Sequence, residues 1–118
     1  MSIRNAIASL AVSDLKSAGQ WYERLLGRPP DSKPMPEVIE WNFERGGWLQ
    51  VYQLPERAGK GSLTLAVTGL EEQIDSLRSA GIPAGEPMRS PGVNVIMIKD
   101  PDGNSIALAE ALDPAMAR

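Results

Sequence analysis

Residues 10–15 read Leu-Ala-Val-Ser-Asp-Leu and residues 65–70 read Leu-Ala-Val-Thr-Gly-Leu, one strand-to-helix phrase written twice, 55 residues apart in a chain of 118. A repeat of that length constrains the fold more than any other feature. A unit of about 55–60 residues buries too little surface to be stable alone, so the two halves must share a core.

Each copy continues in the same way. Residues 5–12 alternate as a strand, with Leu10 and Val12 on one face and Ile7 and Ser9 on the other. Ser13 or Asp14 caps a helix whose apolar stripe is Leu15, Ala18, Tyr22, Leu25 and Leu26, and Gly27 ends it. The proline-rich run 27–37 suits a loop or irregular edge. Two strand-like runs, 38–44 and 48–54, then flank Gly46-Gly47, a hairpin signal. After the linker 55–61, residues 62–67 form a strand, Thr68 and Glu71 fit a capping box, and Leu70, Ile74, Leu77 and Ala80 form the second stripe. Runs 93–99 and 105–110 are strands around the turn Asp100-Pro101-Asp102-Gly103-Asn104. The expected class is α+β, two tandem βαβββ modules in one domain over 1–118, module one about 3–55 and module two about 61–111.

The net charge of −3, with no basic run, argues against nucleic acid, because phosphate binding needs clustered Lys and Arg. The longest apolar run is far short of the roughly 20 residues of a membrane span, and the N-terminus lacks a signal-peptide pattern, which makes the cytoplasm the expected location. The chain has no Cys and no His. Thiolate chemistry is thereby removed, along with the side chain most used for metal ligation and for acid–base catalysis near neutrality.

The duplicated plan resembles the vicinal oxygen chelate superfamily, which includes glyoxalase I, extradiol dioxygenases, fosfomycin-resistance enzymes and bleomycin-resistance proteins. Residues 10–15 leading into 21–27, residues 61–70, and above all 99–110 carry the resemblance, which spans roughly residues 5–110. It implies a curved, cup-like mixed sheet with helices outside, a small ligand in the cup and a homodimer. In metal-dependent relatives up to four side chains point into the cup, and the matching positions here are Ile7, Gln50, Ser62 and Ala107. Ile and Ala cannot coordinate an ion, while Gln and Ser are neutral donors that only assist a site built by carboxylates or imidazoles. No metal or other cofactor is expected, and the Lewis-acid chemistry the relatives share is lost with it.

If Gly46-Gly47 is a two-residue turn, Arg45 pairs with Trp48, Phe43 with Gln50 and Trp41 with Tyr52, and opposed residues share a face. With Gln50 in the cup, Trp41, Phe43, Trp48 and Tyr52 face it too, whereas Glu40, Asn42 and Glu44 fall on the other side. Ser62, Thr64 and Ala107 line the opposite wall. An aromatic wall facing small residues suits a flat, partly hydrophobic guest, oriented by hydrogen bonds from Gln50, Ser62 and Thr64. The expected function is metal-independent capture of such a small molecule. The alternatives are a metal-free glyoxalase-like lyase or isomerase, which needs a titratable group in the cup, and a structural protein whose cup is filled by its own side chains. The carboxylates of the 100–104 turn are read as turn chemistry, Glu110 as facing away from the cup, and Trp21 as packing.

Overall fold

The computed structural model describes residues 2–118. Within them the chain forms β1 (Ile7–Val12), α1 (Leu15–Leu26), β2 (Ser32–Met35), β3 (Val38–Asn42) and β4 (Trp48–Gln53), then a single 3-10 turn (Pro55–Arg57). The plan repeats as β5 (Ser62–Ala66), α2 (Leu70–Ser79), β6 (Met88–Arg89), β7 (Val93–Lys99) and β8 (Ser105–Ala111). Each half is a four-stranded mixed sheet, in the orders β1-β4-β3-β2 and β5-β8-β7-β6. The first strand of each pairs in parallel with the last, and the rest are antiparallel. The fold is α+β with two tandem modules, as the repeat implies.

Local chemistry explains the helices. Asp14 caps α1 by accepting from the Ser17 amide at 3.0 Å, and Gly27 closes it in the left-handed region at φ 77°. Leu15, Ala18, Trp21 and Tyr22 are buried. The second helix departs from expectation. Gly69, not Thr68, is its cap residue, with φ 71° and no side-chain bond of its own. The Glu110 carboxylate reaches over from β8 and accepts from the Gly69 and Leu70 amides at 2.9 and 3.3 Å. A negative charge at a helix N-terminus is favourable, so a strand side chain does the work of the expected capping box.

One core joins the halves. Leu10, Val12, Tyr22, Trp41, Leu49 and Val51 from the first cluster with Leu70, Ile74, Leu77, Ile96, Ile106 and Leu108 from the second. Among the described residues the two sheets share no ladder pairing. Side chains join them at one end of the β1/β5 seam instead. Asn104, fully buried, donates from Nδ2 to the Ala11 carbonyl at 2.9 Å and accepts from the Gly61 amide at 2.9 Å. Asp102 accepts from the Ser13 amide and hydroxyl, and the Tyr22 hydroxyl donates to Asp100 at 2.7 Å. Gly61 lies in close approach, since a Cβ there would meet Leu10 Cδ2 at 2.7 Å and force that buried side chain to shift.

Candidate functional site

The β3–β4 connection decides which side chains reach the helix-free face of the first sheet. Phe43 donates its amide to the Gly47 carbonyl, and Gly46 donates to the Phe43 carbonyl. The turn is therefore longer than the expected Gly46-Gly47 pair. Only Gly46, at φ 98°, takes the positive φ that a two-residue type I′ turn needs at both positions. The register is Asn42 opposite Trp48, Trp41 opposite Leu49, Glu40 opposite Gln50 and Val38 opposite Tyr52.

Two expected cup residues are thereby corrected. Trp41 lies on the helix side, fully buried with Leu49 and Val51, its indole donating to the Arg28 carbonyl at 3.1 Å and its ring 6.2 Å from that of Tyr22. Phe43 leaves the strand at the turn and packs partly buried against the core. Trp48, Gln50 and Tyr52 do lie on the open face, half-buried.

The same register brings Glu40 onto that face, where the sequence reading had not put it. A polar row crosses all four strands: Ser9 Oγ donates to Gln50 Oε1 at 3.5 Å, Gln50 Nε2 to Glu40 Oε2 at 2.8 Å, and Ser32 Oγ to Glu40 Oε1 at 2.7 Å. The Gln50 amide, and then the Ser32 hydroxyl, hold the Glu40 carboxyl below the usual range, because both donate to its ionised form. One sequence signal could have found it. Ile39 and Trp41 are apolar at period two and match Leu49 and Val51, and pairing like with like gives the observed register.

Parallel pairing sets Ser9 beside Gln50 in the first sheet and Thr64 beside Ala107 in the second. The sequence repeat equates Ser9 with Thr64 and Ile7 with Ser62, so Gln50 and Ala107 are matching sites. Ile7 and Gln50 in one half therefore match Ser62 and Ala107 in the other, and the chemistry of these four side chains does not fit a divalent ion. They offer one amide, one hydroxyl and two hydrocarbon side chains, and the amide nitrogen of Gln50 is turned towards Glu40. Among the described residues no three His, Cys, Asp or Glu side chains gather in a way that could hold a metal.

Ser62, Thr64 and Ala107 lie on the open face of the second sheet, with Met97 opposite Ala107 and Lys99 opposite Ser105, whose hydroxyl accepts from the Lys99 ammonium. At the seam end opposite Asn104 the two halves leave a gap that also reaches the helix side, past Leu25, Leu26, Leu63 and Leu65. There a cleft of about 1220 Å³ is lined by Ile7, Phe43 and Trp48 from one half and Thr64, Ala66 and Leu108 from the other. Of the expected ligand residues, Phe43, Trp48 and Thr64 meet in this cleft. Gln50, Tyr52, Ser62 and Ala107 lie beyond its lining on the two open faces, and Trp41 is in the core.

Other candidate groups are structural. Asp100 accepts from Tyr22, from the Asp102 and Asn104 amides and from Asn104 Nδ2. Glu110 caps α2, and its carboxyl is held low by Asn94 and then by the two helix amides. A hollow of about 860 Å³ outside α1 touches Trp21 and Pro101, but its Arg24 and Arg28 are already engaged by the Ala80 carbonyl and by Asp31. Among the described residues no helix is long and apolar enough to cross a membrane.

The model of the family described as Glyoxalase/Bleomycin resistance protein/Dioxygenase superfamily matches residues 5–108. A solved glyoxalase/bleomycin resistance protein from Catenulispora acidiphila is 33% identical, with a TM-score of 0.84 over 92% of this chain and 99% of that one. TnmS3, an antibiotic binding protein from Streptomyces sp. CB03234, is 22% identical, with a TM-score of 0.78 over 94% of this chain and 98% of that one. The bleomycin resistance determinant encoded on the transposon Tn5 is 20% identical, with a TM-score of 0.78 over 94% of this chain and all of that one. No curated protein matches the sequence.

Proposed function

The chain belongs to the Glyoxalase/Bleomycin resistance protein/Dioxygenase superfamily, and from that premise we propose that it captures a flat, partly hydrophobic small molecule without using a metal. The observation that carries this reading is a single face. The family's ion positions there are hydrocarbon or neutral, while Trp48 and Tyr52 flank Gln50 on the same strand. Aromatic surface supplies affinity through area burial and stacking, and the polar row supplies orientation. Two relatives of the same fold, an antibiotic binding protein and a bleomycin resistance determinant, are in keeping with capture. Residues 1–118 then act as one binding domain.

The partner face is a second copy of the chain. Ile7 is 54% exposed and Met97 51% exposed on the open faces, and Met35 and Met88 on the edge strands are likewise exposed. Covering apolar side chains of this size is favourable. A homodimer that covers them would also enclose the ligand.

The lyase or isomerase alternative needs a general base, and Glu40 is the carboxylate available to it on the first open face. Its hydrogen bonds lower its pKa, the opposite of the tuning a base near neutrality requires. Capture is therefore the better reading.

Tryptophan emission tests it. Trp21 and Trp41 are buried and Trp48 is half-buried, so a guest on this face quenches Trp48. A set of planar aromatic compounds is expected to contain binders that quench wild type and raise its melting temperature. Trp48→Ala should weaken them by about 1–3 kcal/mol, the usual scale for removing an aromatic contact. Capture fails if no compound in the set moves either signal.

A further inference from the structure

Glu40 is half-buried, its hydrogen bonds favour its ionised form, and among the described residues it has no counter-ion. Its two oxygens accept one neutral donor each, Gln50 Nε2 and Ser32 Oγ, and an ionised carboxylate accepts about four hydrogen bonds in all. The salt bridges among the described residues are Arg28–Asp31 and Arg89–Glu71, so no cation within 4.0 Å neutralises it. A carboxylate with no cation of its own and with unused lone pairs stabilises positive charge that arrives beside it.

Its neighbours share that preference. Glu40 stands directly opposite Gln50, and Trp48 and Tyr52 lie two residues either side of Gln50 on the same strand face. Diagonal neighbours across an antiparallel pair are about 7–8 Å apart, within the reach of aromatic side chains. Both rings present an electron-rich face that attracts cations. The row from Ser9 through Gln50 fixes the direction of the carboxylate, so its remaining lone pairs do not have to be reoriented when a guest arrives.

Building on the capture reading, we propose that Glu40 makes this site selective for flat organic cations: an aromatic or heteroaromatic body carrying positive charge, stacked on Trp48 or Tyr52 with its charge against the Glu40 carboxylate. A purely structural Glu40, serving only to tie edge strand β2 to the sheet through Ser32, would be indifferent to ligand charge.

Three acridines of one shape separate the possibilities: N-methylacridinium, neutral acridine and acridine-9-carboxylate, measured at pH 7 by equilibrium dialysis. Wild type is expected to bind the cation about tenfold more tightly than the neutral ring and the anion most weakly, with the cation's advantage shrinking as salt rises. Glu40→Gln, close in shape, is expected to bind neutral acridine as wild type does and to lose the preference. The wild-type comparison decides without any variant having to fold. Equal binding of the three overturns the assignment of Glu40 and leaves capture standing, as does a preference that survives Glu40→Gln in a folded protein. If neither these probes nor the wider planar set binds, capture falls, and this inference falls with it.

Discussion

Removing the Asn104 side chain should loosen the two halves from each other, and the cost can be worked from its contacts. Asn104→Ala deletes the bonds from Nδ2 to the Ala11 carbonyl (2.9 Å) and to Asp100 (2.7 Å), and the bond from the Gly61 amide to Oδ1 (2.9 Å). Asp100 keeps Tyr22 and two backbone amides, so it stays satisfied. Ala11 is buried, and its carbonyl is left without that donor; Gly61 is half-buried, and water can replace part of its loss. A buried group left unpaired costs about 1–3 kcal/mol, which puts the sum near 3 kcal/mol. For a chain of this length that is a fall in melting temperature on the order of 10 °C. Urea and thermal denaturation followed by circular dichroism give the free energy, and hydrogen exchange at the Gly61 amide gives the local effect. Asn104→Asp keeps an acceptor for Gly61 but sets a second carboxylate beside Asp100, so it should cost more at neutral pH and recover as the pH falls. A loss below about 0.5 kcal/mol, the scale of an ordinary surface change, together with unaltered exchange at Gly61, would refute the idea that this side chain joins the halves.

Two further outcomes concern pH. Burial first, and the bond to Asp100 second, push the Tyr22 hydroxyl well above its ordinary value of 10.0, so its contribution is complete below that pH and lost above it. Tyr22→Phe should cost about 1–3 kcal/mol at pH 7 and flatten the alkaline fall in stability; an unchanged alkaline limb in urea titrations counts against the buried contact. Glu110 is held below its ordinary 4.5, so the stability it lends is present above that pH and disappears as the pH falls through the depressed value. Glu110→Gln should lower stability at neutral pH, flatten the acid limb and increase exchange at the Gly69 and Leu70 amides, and protection unchanged at those amides would exclude the capping role.

The architecture was legible because the repeat, the helix stripes and the turn residues all point one way. Leu15, Ala18 and Tyr22 are buried as their spacing requires, and Gly27 ends the helix as expected. The wall of the site was only partly legible. Two consecutive glycines permit several turns, and the one formed shifts the strand pairing by an odd number of residues. An odd shift exchanges the faces of a whole strand, which sent Trp41 into the core and brought Glu40 out. Nothing local could announce that Asn104 would also reach Ala11 and Gly61, 93 and 43 positions away, or that Glu110 would cap α2 from 41 and 40 positions away. Such contacts exist only once the two copies have docked.

The repeat also places Gly47 where the second half has Asn104, since Gln50 and Ala107 match three residues later in each strand. Gly47 brings no side chain to its own end of the seam, and a Cβ built there would meet nothing within 4 Å. The duplication has thus diverged into one clasped end and one unclasped end. Because no strand hydrogen bonds stitch the sheets together among the described residues, a change in their spacing at the unclasped end would leave every ladder intact. Under the proposed capture, a site built this way would adjust the span between its two walls without partial unfolding.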